Sequence, residues 1–330
     1  MIDSGAIRVS DPSSVAEARR ISVELARGLG WAEVDCGEVA IVATELAANL
    51  VKHAREGLLS VMAESLPDHG RLLLVAVDRG PGMDVARCLE DGYSTAGSAG
   101  SGLGAVQRLA DGLDVLSQPE GTVLSAEFCR PRPARDGRAV QVGAFEMPKE
   151  GEDVNGDAWD CRAVNGLFAV VVCDGLGHGP YAREASVRAV AAFRTKRWRS
   201  AADAMERIDE ALRPTRGAAG AVAVIDPEAG NLRYCGVGNI VGKIVGEGGA
   251  RQLMTHNGIL GHTSSRKVEL EYEIPPHALL LLHSDGLQTR WPPSAVETLS
   301  SRDPGLIAGM LYRQYSRGND DAVVVVARHT

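Results

Sequence analysis

Residues 170–179 read Val-Val-Val-Cys-Asp-Gly-Leu-Gly-His-Gly, an apolar run that stops on a carboxylate and then a glycine-rich turn. The run is too short for a helix and rich in β-branched residues, so it reads as a strand that carries Asp174 to the rim of a sheet. Three more stretches repeat the arrangement. Asn155-Gly-Asp157 precedes an apolar run, His283-Ser-Asp-Gly286 follows one, and Gly318-Asn-Asp-Asp-Ala322 opens a last valine-rich run. A single Asp close to a glycine is most simply a turn; four such places at the ends of apolar runs point to a shared acidic rim. Crowded carboxylates repel one another without a cation, and oxygen donors suit Mg2+ or Mn2+. Two such ions about 3.5–4 Å apart hold a bridging hydroxide for in-line attack on a phosphoester. His178 has two readings, a proton donor to a leaving serine or a structural residue of its glycine loop.

Around this rim the strands Gly166–Cys173, Gly220–Ile225, Asn231–Val237, Ala278–His283 and Ala322–Ala327 dominate, with helices over Pro180–Arg197 and Ala201–Leu212. The pattern is that of a strand-rich α+β domain over 139–330. His256-Asn-Gly-Ile-Leu-Gly-His262 is either a border of a substrate groove or a plain turn. Arg183, Arg188, Arg194, Lys196, Arg197 and Arg199 predict a basic helix face, solvated or turned to an acidic partner. Upstream, Arg130–Arg138 holds two prolines, a glycine and four arginines without hydrophobic periodicity, which predicts a stiff linker over 131–138.

Residues 1–130 follow a different plan. Helices are expected from near Ser13 through Leu25, from Asp35 to about Ala54, and from near Gly104; strands are expected over Arg71–Asp78, Leu113–Ser117 and Thr122–Cys129. Glu45, Asn49 and His53 recur every fourth residue and so share one helix face. An amide oxygen there can hold Mg2+, and a carboxylate one turn away can accept a hydroxyl proton. Asp78-Arg-Gly-Pro-Gly82 ends a strand with a carboxylate able to take a hydrogen bond from an amino group, and its glycines let backbone approach a planar ligand. Gly92–Gly104 is a Gly/Ser-rich loop that opens a helix, a nest of N–H groups suited to polyphosphate. It lacks the Gly-Lys-Ser/Thr of a Walker loop, and no strand directly precedes it as a Rossmann fingerprint requires.

Composition removes several classes. With 45% hydrophobic and 24% charged residues the chain is globular, neither disordered nor fibrous. The net charge of −8 lies wholly in residues 1–130, and neither half has the basic excess that nucleic-acid binding requires. Six cysteines without a C-x-x-C pair predict a reduced, cytoplasmic chain. No run is long enough to span a bilayer and the N-terminus lacks a secretory pattern, so a soluble protein is expected.

The order E-x-x-x-N, D-x-G-x-G, G-x-G-L-G resembles the three nucleotide-binding boxes of the GHKL ATPase superfamily, and within it the anti-sigma-factor and stress-switch serine kinases. The resemblance covers residues 10–130 and implies a Bergerat-type α/β sandwich. It also implies ATP held with Asn49 on Mg2+, Asp78 on the adenine amino group, Gly80 and Gly82 beside the base, and His53 on the same helix. Gly100, Gly102, Leu103 and Gly104 would surround the phosphates, with Glu45 as the base activating a substrate serine. The set D-G-L-G-H-G, S-D-G and N-D-D-A-V is similar to the PPM-type phosphatases, in particular their SpoIIE-like serine/threonine branch. Over 140–330 that implies an α-β-β-α sandwich and two Mn2+ or Mg2+ ions. Their ligands would be Asp157, Asp174 with the carbonyl of Gly175, Asp285 and Asp320, with Asp321 the less favoured of its pair. Asn155 departs from the glycine common at that place. Together these resemblances imply an α+β, two-domain bacterial switch protein. It would phosphorylate and dephosphorylate a serine or threonine of a STAS-domain antagonist, with a sigma factor or a downstream switch protein as secondary partner candidates. The alternative is a phosphatase whose first domain only senses ATP or binds a partner.

Overall fold

The computed structural model describes residues 2–89, 102–133, 138–195, 197–247, 249–262 and 266–330. The chain divides into two compact units, Ile2–Asp136 and Gly137–Thr330.

The first unit runs β1 (Ile2–Val9), α1 (Pro12–Gly28), α2 (Glu33–His53), β2 (Gly57–Ser65), β3 (Gly70–Val77), α3 (Val85–Leu89), α4 (Gly102–Leu109), β4 (Gly112–Gln118) and β5 (Gly121–Arg130). Helix α1 starts where local chemistry demands. Asp11 accepts from the N–H groups of Ser13 and Ser14 at 2.8 and 3.1 Å, and the Ser14 hydroxyl accepts from the Asp11 N–H, with Pro12 in the first turn. The strands form an antiparallel sheet in the order β1-β2-β3-β5-β4. Alternate residues Leu72, Leu74 and Ala76 of β3 share one core with Val39, Val42, Leu46 and Leu50 of α2. Period two in the strand and period 3.6 in the helix thus meet in a single core. With those positions turned inward, Glu45, Asn49 and His53 occupy a less buried side of α2, His53 being exposed.

The second unit runs β6 (Val140–Met147), β7 (Asp157–Val164), β8 (Leu167–Gly175), α5 (Pro180–Thr195), α6 (Ala201–Leu212), β9 (Ala218–Asp226), β10 (Asn231–Val237), β11 (Val241–Gly246), β12 (Gly249–Gln252), β13 (Leu270–Glu273), β14 (Leu279–His283), α7 (Ser294–Glu297), α8 (Pro304–Tyr315) and β15 (Ala322–His329). Two five-stranded sheets result, β13-β10-β9-β8-β7 and β12-β11-β14-β15-β6. Helices α5 and α6 cover the first, where Ala189, Phe193, Met205 and Ile208 pack on Ala169, Val171, Val222 and Val224. Helix α8 lies against β6 and β15 of the second. The layers follow the expected α-β-β-α sandwich.

The basic helix resolves into separate interactions rather than one free face. Arg194 Nε pairs with the buried Asp160 carboxylate at 2.6 Å, Arg183 donates to the Asp157 carbonyl at 3.0 Å, and Lys196 lies outside the described residues. Among the described residues no helix is long and apolar enough to cross a membrane.

Candidate active sites

In the first unit a cavity of 390 Å3 is lined by Glu45, Asn49 and His53 of α2, by Asp78, Gly80 and Gly82 after β3, and by Gly102 and Leu103 of α4. The structure thus brings together eight of the residues singled out in the sequence. Gly104 is buried inside α4 instead of lining the cavity, and Gly100 lies outside the described residues. Asp78 is fixed by its backbone neighbours: its Oδ1 accepts from Gly80 N at 2.6 Å and Thr122 N at 3.2 Å. Those bonds set its orientation and leave Oδ2 for a ligand.

Close backbone approach explains the glycines. A Cβ on Gly82 would stand 2.4 Å from the Gln118 carbonyl, and Gly82 has φ +75°, a left-handed conformation. Gly102 faces Glu45 and Asn49, because a Cβ there would lie 3.3 Å from Glu45 Oε2 and 3.9 Å from the Asn49 amide. Sequence reasoning missed Gly121, where φ is +138° and a Cβ would meet the Asp78 carbonyl at 2.0 Å. It also missed Thr122 and Leu124 as part of the lining.

The second site forms where strand ends of both sheets meet. Asp157 of β7 lies directly opposite Asp174 of β8 in the antiparallel register, while Asp285 leaves β14 and Asp320 and Asp321 enter β15. Like charges directly opposite each other are destabilising. Burial, then the neighbouring Asp285, pushes the Asp174 carboxyl up to about 7. Burial and the charge of Asp174 push Asp157 well above the usual carboxylate range, against a hydrogen bond from Ser284. Asp157 Oδ2 is buried without a hydrogen-bond partner.

The surrounding loops are firmly tied. Asn155, in place of the common glycine, accepts from Asp157 N at 2.9 Å and donates to the Ala322 carbonyl at 3.3 Å, which joins β7 to β15. Asp321 is buried, and its Oδ1 accepts from Lys149 N at 2.9 Å; Asp320 is half-buried. Gly175 admits no side chain, since a Cβ would lie 2.1 Å from the Ala182 carbonyl. His178 Nδ1 meets Glu152 Oε1 at 2.6 Å.

One residue of the rim was not legible in the sequence. Asn239 Nδ2 donates to Asp174 Oδ2 and to Asp285 Oδ2, both at 2.8 Å, and so bridges the two carboxylates. With that amide between them, no three His, Cys, Asp or Glu side chains among the described residues form a closed coordination group. The donor set nevertheless suits a hard cation. It is all oxygen, it holds an unpartnered buried carboxylate atom, and its carboxyl groups raise one another's proton affinity.

A nucleotide-sized cavity on a GHKL-like sandwich, and an acidic rim on a PPM-type sandwich, define a protein with a kinase-like and a phosphatase-like module. Residues 9–128 match the histidine kinase-like ATPase domain, and residues 165–330 match the stage II sporulation protein E (SpoIIE) family, to which the chain belongs. The first module is 34% identical to the serine/threonine-protein kinase RsbT of Bacillus subtilis (strain 168) over 130 residues, 38% of this chain and 96% of that one. The second is 29% identical over 101 residues to the phosphoserine phosphatase RsbX of the same organism, 31% of this chain and 51% of RsbX. A chain solved in work on the bacterial stressosome superposes with a TM-score of 0.54 at 30% identity, covering 57% of this chain and 99% of its own. RsbX in complex with magnesium shares the fold, with a TM-score of 0.54 at 19% identity over 66% of this chain and 100% of that one.

Proposed function

We propose that the chain is a bifunctional partner-switching regulator whose two modules act in opposite directions on one phosphoprotein. The observation that carries this reading is the acidic rim. Asp157 and Asp174 face each other in register, buried and with Asp285 close by, a crowding of carboxyl groups that a bound divalent cation would compensate in the ionised form. Asp157, Asp174, the Gly175 carbonyl, Asp285 and Asp320 would hold two Mn2+ or Mg2+ ions. Asp321, already engaged by Lys149 N, fastens the loop before β7. Bound there, the ions supply Lewis-acid polarisation of the phosphoryl group and a nucleophilic water at neutral pH. Glu152 orients His178, whose Nε2 serves as proton donor to the departing serine or threonine oxygen.

In the first module, Asp78 Oδ2 takes the adenine amino group, Asn49 holds Mg2+, and Gly80, Gly82, Gly102 and Leu103 shape the nucleotide site. Glu45, beside Gly102, accepts the proton of the substrate hydroxyl. The substrate proposed is a STAS-domain antagonist, in keeping with the kinase and phosphatase relatives of the two modules. The test is hydrolysis of a phosphoserine protein by the full chain. It should require added Mn2+ or Mg2+ and should fall at least about 100-fold in Asp174→Asn. Metal-independent hydrolysis, or full activity in that variant, overturns the reading.

A further inference from the structure

Beside the Asp174 loop stands a cation that neither the rim nor the core uses. Arg216 is exposed, among the described residues no carboxylate pairs with it, and its guanidinium carbon lies 4.6 Å above the Tyr181 ring. Tyr181 is 62% exposed, as a large aromatic side chain seldom is on a soluble surface, and Leu176 of the glycine loop is 48% exposed.

Register places this group at the catalytic edge. Ala219 lies opposite Asp174, and Arg216 comes three residues before Ala219, in the turn that leads into β9. Leu176 N donates to the Gly217 carbonyl at 3.0 Å, which zips the Asp174 loop to the turn that carries Arg216. A Cβ on Gly177 would lie 3.5 Å from Arg216 Nη1, so the guanidinium reaches over the glycine loop itself.

The turn is rigid. Thr215 Oγ1 donates to the Leu212 carbonyl and accepts from Gly217 N, and His262 Nε2 meets the Thr215 carbonyl at 3.0 Å. Gly217 has φ +82°, and a Cβ there would strike the Leu260 carbonyl at 2.5 Å. A positive group held in place, stacked on an open ring and left without an anion, is built to receive one from outside.

We propose that Arg216, carried on Tyr181, recognises the polypeptide beside the phosphorylated residue of the substrate by engaging a carboxylate that flanks it. The inference rests on the phosphatase reading and names the substrate feature that reading leaves open, an acidic residue next to the phosphoserine or phosphothreonine. Tyr181 and Leu176 give the bound segment an apolar floor, while Arg216 sets its direction. Arg216 is a specificity residue and takes no part in the displacement at phosphorus.

The test uses the full chain with Mn2+, a fluorescent phosphoserine peptide with glutamates on both sides, and p-nitrophenyl phosphate. In Arg216→Ala, kcat/KM for the peptide should fall on the order of 30-fold, mainly through KM, the scale of one lost charge-assisted contact. The loss on p-nitrophenyl phosphate should be at least tenfold smaller, and Arg216→Lys should recover part of the peptide affinity. Anisotropy should show the peptide binding more weakly to Arg216→Ala whether or not it is turned over. Equal losses on both substrates, or peptide binding indifferent to Arg216, overturn the proposal. A wild-type chain that binds the peptide through Arg216 yet hydrolyses neither substrate leaves this surface standing and removes the phosphatase reading instead.

Discussion

Replacing Asp78 by Asn separates ligand recognition from folding in the first module. Oδ1 of Asp78 accepts from Gly80 N and Thr122 N at 2.6 and 3.2 Å, and the carbonyl oxygen of an asparagine can accept both bonds. What changes is the other oxygen, which becomes an NH2 group and presents donors to the adenine amino group. The lost bond is one to a charged acceptor, worth about 1.5–3 kcal/mol, or about 10- to 140-fold in Kd. Because the two backbone bonds persist, the thermal midpoint should move by no more than about 3 °C. Titration calorimetry of ATP with Mg2+ against wild type and Asp78→Asn, beside a melting curve of each, checks both parts. An ATP affinity within twofold of wild type refutes the assignment of Asp78. A collapse in melting temperature alongside lost affinity refutes the claim that the two backbone bonds survive the change.

Gly121→Ala should lower both stability and ATP affinity, because its Cβ would stand 2.0 Å from the Asp78 carbonyl at φ +138°. The strain is at least about 1–3 kcal/mol, and an unchanged denaturation midpoint contradicts it. The acidic rim makes a pH prediction. Asp174 is raised from 3.8 to about 7, so in the metal-free fold it binds a proton more tightly than in the unfolded chain. Its ionisation therefore costs stability progressively as pH rises through that window. A cation that needs the ionised rim competes with this proton, so the rise in melting temperature given by Mn2+ should be larger at pH 8 than at pH 5.5. Equal shifts at the two pH values contradict the account.

Much of this molecule is legible because its signals are local. The helix expected from near Ser13 starts at Pro12, and the four-residue spacing of Glu45, Asn49 and His53 survives as one helix side. Apolar runs that begin or end beside an Asp close to glycine identify the strands that carry Asp157, Asp174, Asp285 and Asp320, and Asp157 and Asp174 stand directly opposite each other. What escaped the reading depends on partners distant in the chain. Strand β1 has both ends buried but a mixed middle, so it shows no clean alternation, and its place is set by pairing with β2. Gly121 is required only because the Asp78 carbonyl, 43 residues earlier, passes over it. Asn239 follows a glycine in what reads as a turn; its importance lies in two carboxylates, 65 and 46 residues away. Likewise Arg194 reads as part of a basic face until Asp160 is found folded against it.

The central claim, that one chain adds and removes the same phosphate, is tested most directly by mass spectrometry of a single STAS-domain partner incubated with ATP and each variant. Asp174→Asn should let phosphoserine or phosphothreonine accumulate on that partner. Glu45→Ala should leave it unmodified and still strip phosphate from a prephosphorylated sample. If Asp174→Asn binds ATP but places no phosphate on the partner, the first module is a nucleotide sensor and the claim of opposed activities is contradicted.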